Sequence, residues 1–519
     1  MKLLTAEAMQ EADRRAITGL GIPGLHLMEN AGRECARLIH ERYGLSPSRT
    51  AVIVAGKGNN GGDGYVIARH LSEAGWQTLN LIVAERDEIR GDALTNLERL
   101  PAGTVRFCPD GIAPHTEELK CAAVVVDALF GTGLSREITG PSADAIDIVN
   151  RSGRPVTAVD IPSGIHGTTG QLLGKAVRAD LTVTFAAAKL GHVLYPGAEF
   201  VGELRTVPIG IPDLLLSETP GCEFVDNAAA RELLRPRERT AHKGTFGHLL
   251  VIAGSRGKTG AAAMAANSAV RAGSGLVTLA VPALLHNILE VKTTEAMTVS
   301  LDDAGRGHLS YLALPEIITL LAGRDAVALG PGLSWNSDTA ELVHRLLPGI
   351  HLPLVIDADA LNAVSERPDI LTKVSSPAVI LTPHPGEMAR ICGCSTADIE
   401  RDRIAAATDI AARFGVYVVL KGARTVCAAP DGRIAINGSG NPGMASGGMG
   451  DVLTGILASL LGQGYPPFDA CRLGVFLHGS AADLAAQEMG EIGITATDVQ
   501  ERLPYAYRQL QRSGDQIQT

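Results

Sequence analysis

The sequence predicts two α/β halves, each a parallel sheet covered by helices on both faces. Three observations carry that expectation. Short aliphatic, β-branched runs recur without the polar–apolar alternation of a half-exposed strand. Each closes on a glycine or aspartate cluster, and each is followed by apolar residues at helical spacing. Strands buried on both faces read as continuous apolar runs, and the strand–glycine–helix rhythm is that of a doubly wound sheet.

In the first half the strand-like runs are 51–55, 79–84, 123–127, 155–160 and 181–186, with helical patterns over 5–18, 25–42, 63–74, 91–99 and 142–151. The second half repeats the scheme with runs at 249–253, 275–280, 326–329, 354–357, 378–381 and 416–421. A hairpin-like stretch follows at 425–437 with Pro430-Asp431-Gly432 as its turn. Long Ala- and Leu-rich helix patterns start after Gly450 and after Pro467. Residues 208–240 hold Pro208, Pro212, Pro220 and Pro236 amid alternating charge, which places a boundary near 215–225 and domains over 1–215 and 225–510. The glycine motifs of the two halves differ in order and spacing, so the halves are not repeats.

Composition narrows the function. The chain has 519 residues, enough for two to four domains with real cores, and a formal charge of −10. An acidic balance without a Lys/Arg cluster argues against nucleic acid as a partner. No apolar run approaches the length of a membrane span, and Met1–Glu7 turns polar too soon for a secretory signal. The eight cysteines lie mostly in apolar stretches; only Cys392 and Cys394 are close, with no second pair to complete a zinc site. These features suit buried thiols in a cytoplasmic enzyme. With aromatics at 4%, the core must be aliphatic and Ala-rich.

The run 51–55 passes directly into Gly56-Lys57-Gly58-Asn59-Asn60-Gly61-Gly62-Asp63-Gly64 and a helix. Residues 56–61 formally match G-x-G-x-x-G, but the acidic residue expected about 20 positions on, at the end of the next strand, is displaced; the first candidate there is Glu85, 29 positions past Gly56. What remains is a backbone able to approach an anion at a helix N-terminus. Asp127, followed by Gly131-Thr132-Gly133-Leu134-Ser135-Arg136, and Asp160, followed by Ile161-Pro162-Ser163-Gly164, end further runs at the same sheet edge. Two carboxylates in such a crevice can hold a cation or serve as acid and base; capping the next helix is the simpler alternative.

These segments, with Met28-Glu29-Asn30-Ala31-Gly32, resemble the NAD(P)H-hydrate epimerase domain over residues 1–215. The resemblance implies a Rossmann-like domain that interconverts the R and S hydrates of NADH or NADPH. It places Asn59, Asn60, Gly61, Gly62 and Asp63, together with Gly131, Thr132, Gly133, Leu134, Ser135, Arg136 and Glu137, against substrate. Asp160 would contact substrate as the acid/base, and Asn60, Asp127 and Ser163 would bind K+.

In the second half, Gly254–Thr259 ends in Gly-Lys-Thr, but a P-loop would need glycine at position 252, which is Ile252. The stronger signal is Gly447-Gly448-Met449-Gly450-Asp451 opening a long helix. Clustered N–H groups there form an anion hole, and Asp451 in the first turn can take a proton from a substrate hydroxyl. Other run ends supply Gly330-Pro331-Gly332, Asp357 to Asn362, His384 between two prolines, and Lys421 to Thr425.

With His242–Gly244, Gly254-Ser255 and Gly260-Ala261, these motifs resemble the ADP-dependent NAD(P)H-hydrate dehydratase, a ribokinase-like α/β fold, over about 225–505. That resemblance implies dehydration of the S hydrate at the expense of ADP, giving AMP and phosphate. Ala261, Gly332, His384 and Asp451 would contact the hydrate, with Asp451 as base. Lys421, Gly422, Ala423, Arg424, Thr425 and Gly450 would contact the nucleotide. Asp357 and Asp359 would support Mg²⁺ or the loop. The expected partners are NAD(P)H hydrates and ADP, with no nucleic acid and no membrane, in a homo-oligomer. A small-metabolite kinase tethered to a non-catalytic nucleotide-binding module is the alternative that the Gly-Gly-x-Gly-Asp motif leaves open.

Overall fold

The computed structural model describes residues 1–512. The chain divides into two compact units between Cys222 and Glu223.

The N-terminal unit holds a seven-stranded sheet. From edge to edge its strands are Val105–Phe107, Gln77–Ile82, Thr50–Ala55, Val124–Ala128, Val156–Val159, Leu181–Phe185 and Glu203–Val207, all parallel. Their apolar continuity has a direct cause. Ala51, Ile53 and Ala55 enter the core on one face, while Val52 and Val54 enter the core on the other. Chain order runs outward to one edge from Thr50–Ala55, then returns to its other side at Val124–Ala128. The carboxyl ends of these two strands therefore flank a crevice.

The C-terminal unit repeats the logic. Its sheet runs Met297–Leu301, Leu276–Pro282, His248–Ile252, Ala326–Leu329, Leu354–Ile356, Val379–Leu381 and Tyr417–Leu420 in parallel. Val426–Ala428 and Ile434–Asn437 continue it antiparallel. Leu249 and Val251 feed one core, Leu250 and Ile252 the other. The order reverses between His248–Ile252 and Ala326–Leu329, which sets the second crevice. Behind it, helices Thr259–Arg271 and Met449–Gly462 pack closely. A Cβ on Gly455 would lie 2.2 Å from the Ala265 carbonyl oxygen, so only glycine allows that approach. Ala262, Ala265, Ala266 and Ala269 are buried on the facing helix, which explains an Ala-rich, aromatic-poor composition.

Three expectations need correction. The helix after the first glycine loop begins at Asn59, not 63, so Asn60, Gly61 and Gly62 belong to its opening turn. The edge strands Val105–Phe107, Glu203–Val207 and Met297–Leu301 and the boundary strand Cys222–Val225 were not expected; each is short and carries polar residues or partly exposed positions. The run 155–160 ends as a strand at Val159, because Asp160 turns into a left-handed conformation with φ 66°.

Candidate active sites

At the N-terminal crevice, Asn59, Asn60, Asp63, Gly131 to Arg136 and Asp160 line one cleft of about 640 Å3, joined by Asp13 and Lys189. Gly61 and Gly62 do not line it. They pack inside the helix turn, where a Cβ on Gly62 would meet the Met28 thioether at 2.8 Å. Glu137 also lies off the cleft wall, its side chain against Gly174.

The centre of the cleft is a buried ion pair. Lys189 Nζ lies 2.6 Å from Asp160 Oδ1 and also donates to the Thr184 hydroxyl and the Phe185 carbonyl. The Asp160 carbonyl accepts from His192 Nε2, and His192 Nδ1 accepts from the Lys189 backbone N–H. Burial, then the Lys189 charge, pushes His192 down to about 4, so a neutral imidazole ties the two residues together. Burial opposes charge on Asp160, but the Lys189 ammonium outweighs it and holds that carboxyl below its ordinary range. Asp13 is pushed up to about 6 by burial, with Lys189 opposing and Asp160 reinforcing. Asp63, half-buried in the cleft wall, is raised well above the usual range by burial and by its neighbours Asp160 and Asp13. The cleft thus holds one carboxyl whose anionic form is favoured, Asp160, and two whose protonation is made easier, Asp63 more than Asp13.

Beside it, Asp127 accepts from the Ser163 backbone N–H at 2.8 Å and from the Ser163 hydroxyl at 2.6 Å. The hydroxyl also reaches the Phe130 carbonyl oxygen. Neither Asp127 nor Asp160 caps a helix. Burial pushes Asp127 up to about 6 against the Ser163 hydrogen bonds, and among the described residues no lysine or arginine offsets its charge. Asn60 approaches the same loop, its side-chain nitrogen buried without a partner and its Oδ1 facing Gly131. A buried carboxylate lacking a protein cation, a hydroxyl, a carbonyl and the Asn60 amide oxygen are the oxygen donors that a weakly hydrated monovalent cation would use, while the unpartnered Asn60 nitrogen is no ligand.

In the C-terminal crevice, the carboxylate of Asp357, at the end of strand Leu354–Ile356, is wholly buried and doubly held. Lys421 Nζ lies 2.7 Å from one oxygen and the Thr454 hydroxyl 2.7 Å from the other. Burial opposes charge on Lys421, but Asp357 and Glu387 together raise its pKa. Glu387 is pushed up to about 7, by burial and by Asp357. Asp451, in the first turn of Met449–Gly462, is also pushed up to about 7, by burial first and Asp357 next. Gly448, at φ 94°, turns the chain into that helix, whose first N–H groups lack intrahelical partners. Gly450 lies over Lys421, where a Cβ would come within 3.2 Å of Nζ.

The remaining expected residues surround this centre. Gly332 and Ala261 face each other closely; a Cβ on Gly332 would sit 3.0 Å from that of Ala261. His384 caps helix Pro385–Cys392, accepting through Nδ1 from the Gly386 and Glu387 N–H groups, and burial with Lys421 lowers its pKa. It is half-exposed, with Nε2 3.5 Å from Glu387. Arg403 holds the loop at 421–425, donating to the carbonyls of Leu420, Lys421 and Ala423. Gly422, at φ 142°, lets that guanidinium pass. Thr425 donates to the Gly422 carbonyl, and Arg424, left-handed at φ 57°, donates to the Gly438 carbonyl. Asp359 is engaged by Lys258 at 2.9 Å and by the Ser334 N–H.

Comparison with known proteins gives both halves relatives. The NAD(P)H-hydrate dehydratase family model matches residues 249–505, and that of the YjeF-related protein N-terminus matches 24–191. Bifunctional NAD(P)H-hydrate repair enzymes of Moorella thermoacetica and Thermofilum pendens are 44% and 42% identical, covering 100% of this chain and 98% of their own. The chain belongs to the bifunctional NAD(P)H-hydrate repair enzymes. The Escherichia coli repair enzyme is 35% identical over 95% of this chain and 92% of its own. Among solved structures, the Bacillus subtilis ADP/ATP-dependent NAD(P)H-hydrate dehydratase co-crystallised with ATP/Mg2+ is 30% identical, covering 56% of this chain and 99% of its own at a TM-score of 0.48.

In this family member the geometry adds residues that sequence reasoning missed. Lys189 follows an apolar stretch in the sequence as Lys421 does, so the same signal was available, although the structure ends the strand at Phe185 and puts Lys189 in a separate two-residue strand, Ala188–Lys189. Asp13 sits on helix Ala6–Leu20 and reads as a solvent-facing charge until the fold brings it to the cleft. Thr454 and Arg403 had no local signal, because their partners lie 97 and 17 to 20 residues away.

Proposed function

We propose that the N-terminal unit epimerises NAD(P)H hydrates and that the C-terminal unit, read as ribokinase-like, dehydrates the S epimer with ADP. In the N-terminal cleft, Asp160 accepts the proton of the added hydroxyl while Asp13 or Asp63, protonated, supplies one to the ring. The C–N bond beside that hydroxyl opens and recloses on the opposite face. Lys189 positions Asp160 and keeps it anionic. Asn59, Asn60 and the loop at 131–136 hold the substrate, and Asn60, Asp127 and Ser163 would hold K+, which would supply fixed positive charge beside the substrate loop.

In the C-terminal crevice, Asp451 takes the proton of the hydrate's hydroxyl and that oxygen attacks the terminal phosphorus of ADP. The bond to AMP breaks, and the phosphate ester then leaves as inorganic phosphate as a neighbouring ring proton is lost, restoring the double bond. Gly450 and the helix N-terminus receive the phosphoryl oxygens, and Lys421 to Thr425 hold the nucleotide. Ala261, Gly332 and His384 bound the hydrate. Among the described residues there is no cluster of three or more metal-ligating side chains, and Asp357 and Asp359 are each engaged by a lysine. Mg²⁺ is therefore read as held mainly by the nucleotide's phosphates, neutralising their charge. All eight cysteines are unpaired, and among the described residues no helix is long and apolar enough to cross a membrane. Both fit a cytoplasmic enzyme.

The observation that carries this reading is geometric: Asp451 stands in the first turn of a helix opened by Gly447-Gly448-Met449-Gly450, where the half-buried Lys421 lies against Gly450 and is tied to Asp357. Its test is stoichiometry. Wild type is expected to release one AMP and one phosphate per NADPH recovered, and Asp451→Asn is expected to lose at least a thousandfold in kcat. A stable phosphate ester accumulating instead of phosphate would contradict it.

A further inference from the structure

The chain has two tryptophans. Trp76 is 4% exposed, and Trp335, at the rim of the C-terminal crevice, is 49% exposed. Trp335 is held rather than loose. Its indole N–H donates to Glu366 at 2.6 Å, and the residue before it, Ser334, is left-handed at φ 70°. Ser334 donates its N–H to Asp359 at 2.8 Å, and Asp359 pairs with Lys258. The Arg390 guanidinium lies 6.0 Å from the centre of the Trp335 ring and is fixed by Asn362 at 2.9 Å. Arg390 stands on the helix that His384 caps, and its charge acts on both His384 and Glu387. A strained residue, an immobilised half-exposed ring and a tethered guanidinium stand together beside the crevice, and none of them is among the residues assigned above to the reacting hydroxyl or the phosphoryl group. Backbone strain kept at a site edge serves positioning, and a fixed aromatic face beside arginine suits a nucleobase and its phosphate.

We propose that Trp335 and Arg390 form a subsite for the second, adenosine-phosphate half of the hydrated dinucleotide, stacking the base and pairing a phosphate oxygen. This rests on the dehydratase reading above. The subsite sets selectivity for dinucleotide over mononucleotide hydrates without touching the reacting hydroxyl.

Two measurements on the full-length chain test it. In a Trp76→Phe background Trp335 is the sole tryptophan, and its emission is expected to be quenched saturably by NADP+. Nicotinamide mononucleotide should need at least tenfold higher concentration. Second, kcat/KM for NADPH hydrate relative to the hydrate of reduced nicotinamide mononucleotide should fall about tenfold in Trp335→Ala and in Arg390→Gln. Trp335→Phe should keep most of that ratio. Emission that ignores NADP+, or a ratio within twofold of wild type in Trp335→Ala, would overturn the subsite. A wild-type chain that recovers no NADPH from its hydrate would instead overturn the dehydratase reading itself.

Discussion

Lys189 and Asp160 are the pair on which the N-terminal cleft depends. Removing one partner of a buried ion pair leaves the other uncompensated, so Lys189→Met should destabilise the N-terminal unit by about 3–5 kcal/mol. The double variant Asp160→Asn/Lys189→Met should recover most of that in thermal denaturation while remaining inactive as an epimerase. Recovery of stability without activity separates the structural role of the pair from its chemistry. At the second site the informative residue is Asp451. Held near 7, it is protonated below neutrality and cannot accept a proton there. The dehydration rate should therefore fall about tenfold per pH unit below about 7 and level off above. Asp357 is one of the charges that raise Asp451, so Asp357→Asn should move that inflection to lower pH. An inflection that stays in place in a pH–rate profile of the variant would show that another group titrates.

At the scale of elements, both crevices form where strand order reverses, and the glycines there are fixed by contact. Gly330 leaves its strand at φ 129°, and a Cβ would lie 1.9 Å from the Asp357 carbonyl oxygen. Gly330→Ala must displace Asp357, and with it the contacts to Lys421 and Thr454. Misplacing a catalytic group by about 1 Å can cost about a hundredfold, and that loss is expected in kcat/KM with the fold retained by circular dichroism. Element scale is also where the sequence was most legible. Strands such as Thr50–Ala55 and His248–Ile252 feed two cores and cannot hide their apolar continuity. Edge strands such as Glu203–Val207 and Met297–Leu301 face solvent, carry polar residues and leave no such trace. Asp160 and Asp451 stood out because each stands beside a glycine-containing turn at the edge of a crevice, which helix capping alone does not require. Asp13 and Arg403 did not, since each sits on a helix whose own periodicity accounts for it, and only the tertiary fold brings it to a crevice.

At the scale of the whole molecule, the two units divide one task. On the proposed reading, the phosphoryl-transfer site accepts one epimer of the hydrate and the epimerase converts the other into it. The two activities should be separable by single substitutions, since the proposed groups of each reaction lie within one compact unit. Asp160→Asn should leave a dehydratase that stops when the S epimer is exhausted. Asp451→Asn should leave an epimerase that recovers no reduced cofactor. The most direct test is recovery of the reduced-nicotinamide absorbance from a mixed-epimer NADPH hydrate, with ADP, Mg²⁺ and K+, in wild type and both variants. The account predicts that wild-type recovery passes well beyond the S fraction faster than spontaneous epimerisation, while Asp160→Asn plateaus at that fraction. A wild-type plateau at the S fraction, or full recovery at the wild-type rate in Asp160→Asn, would contradict it.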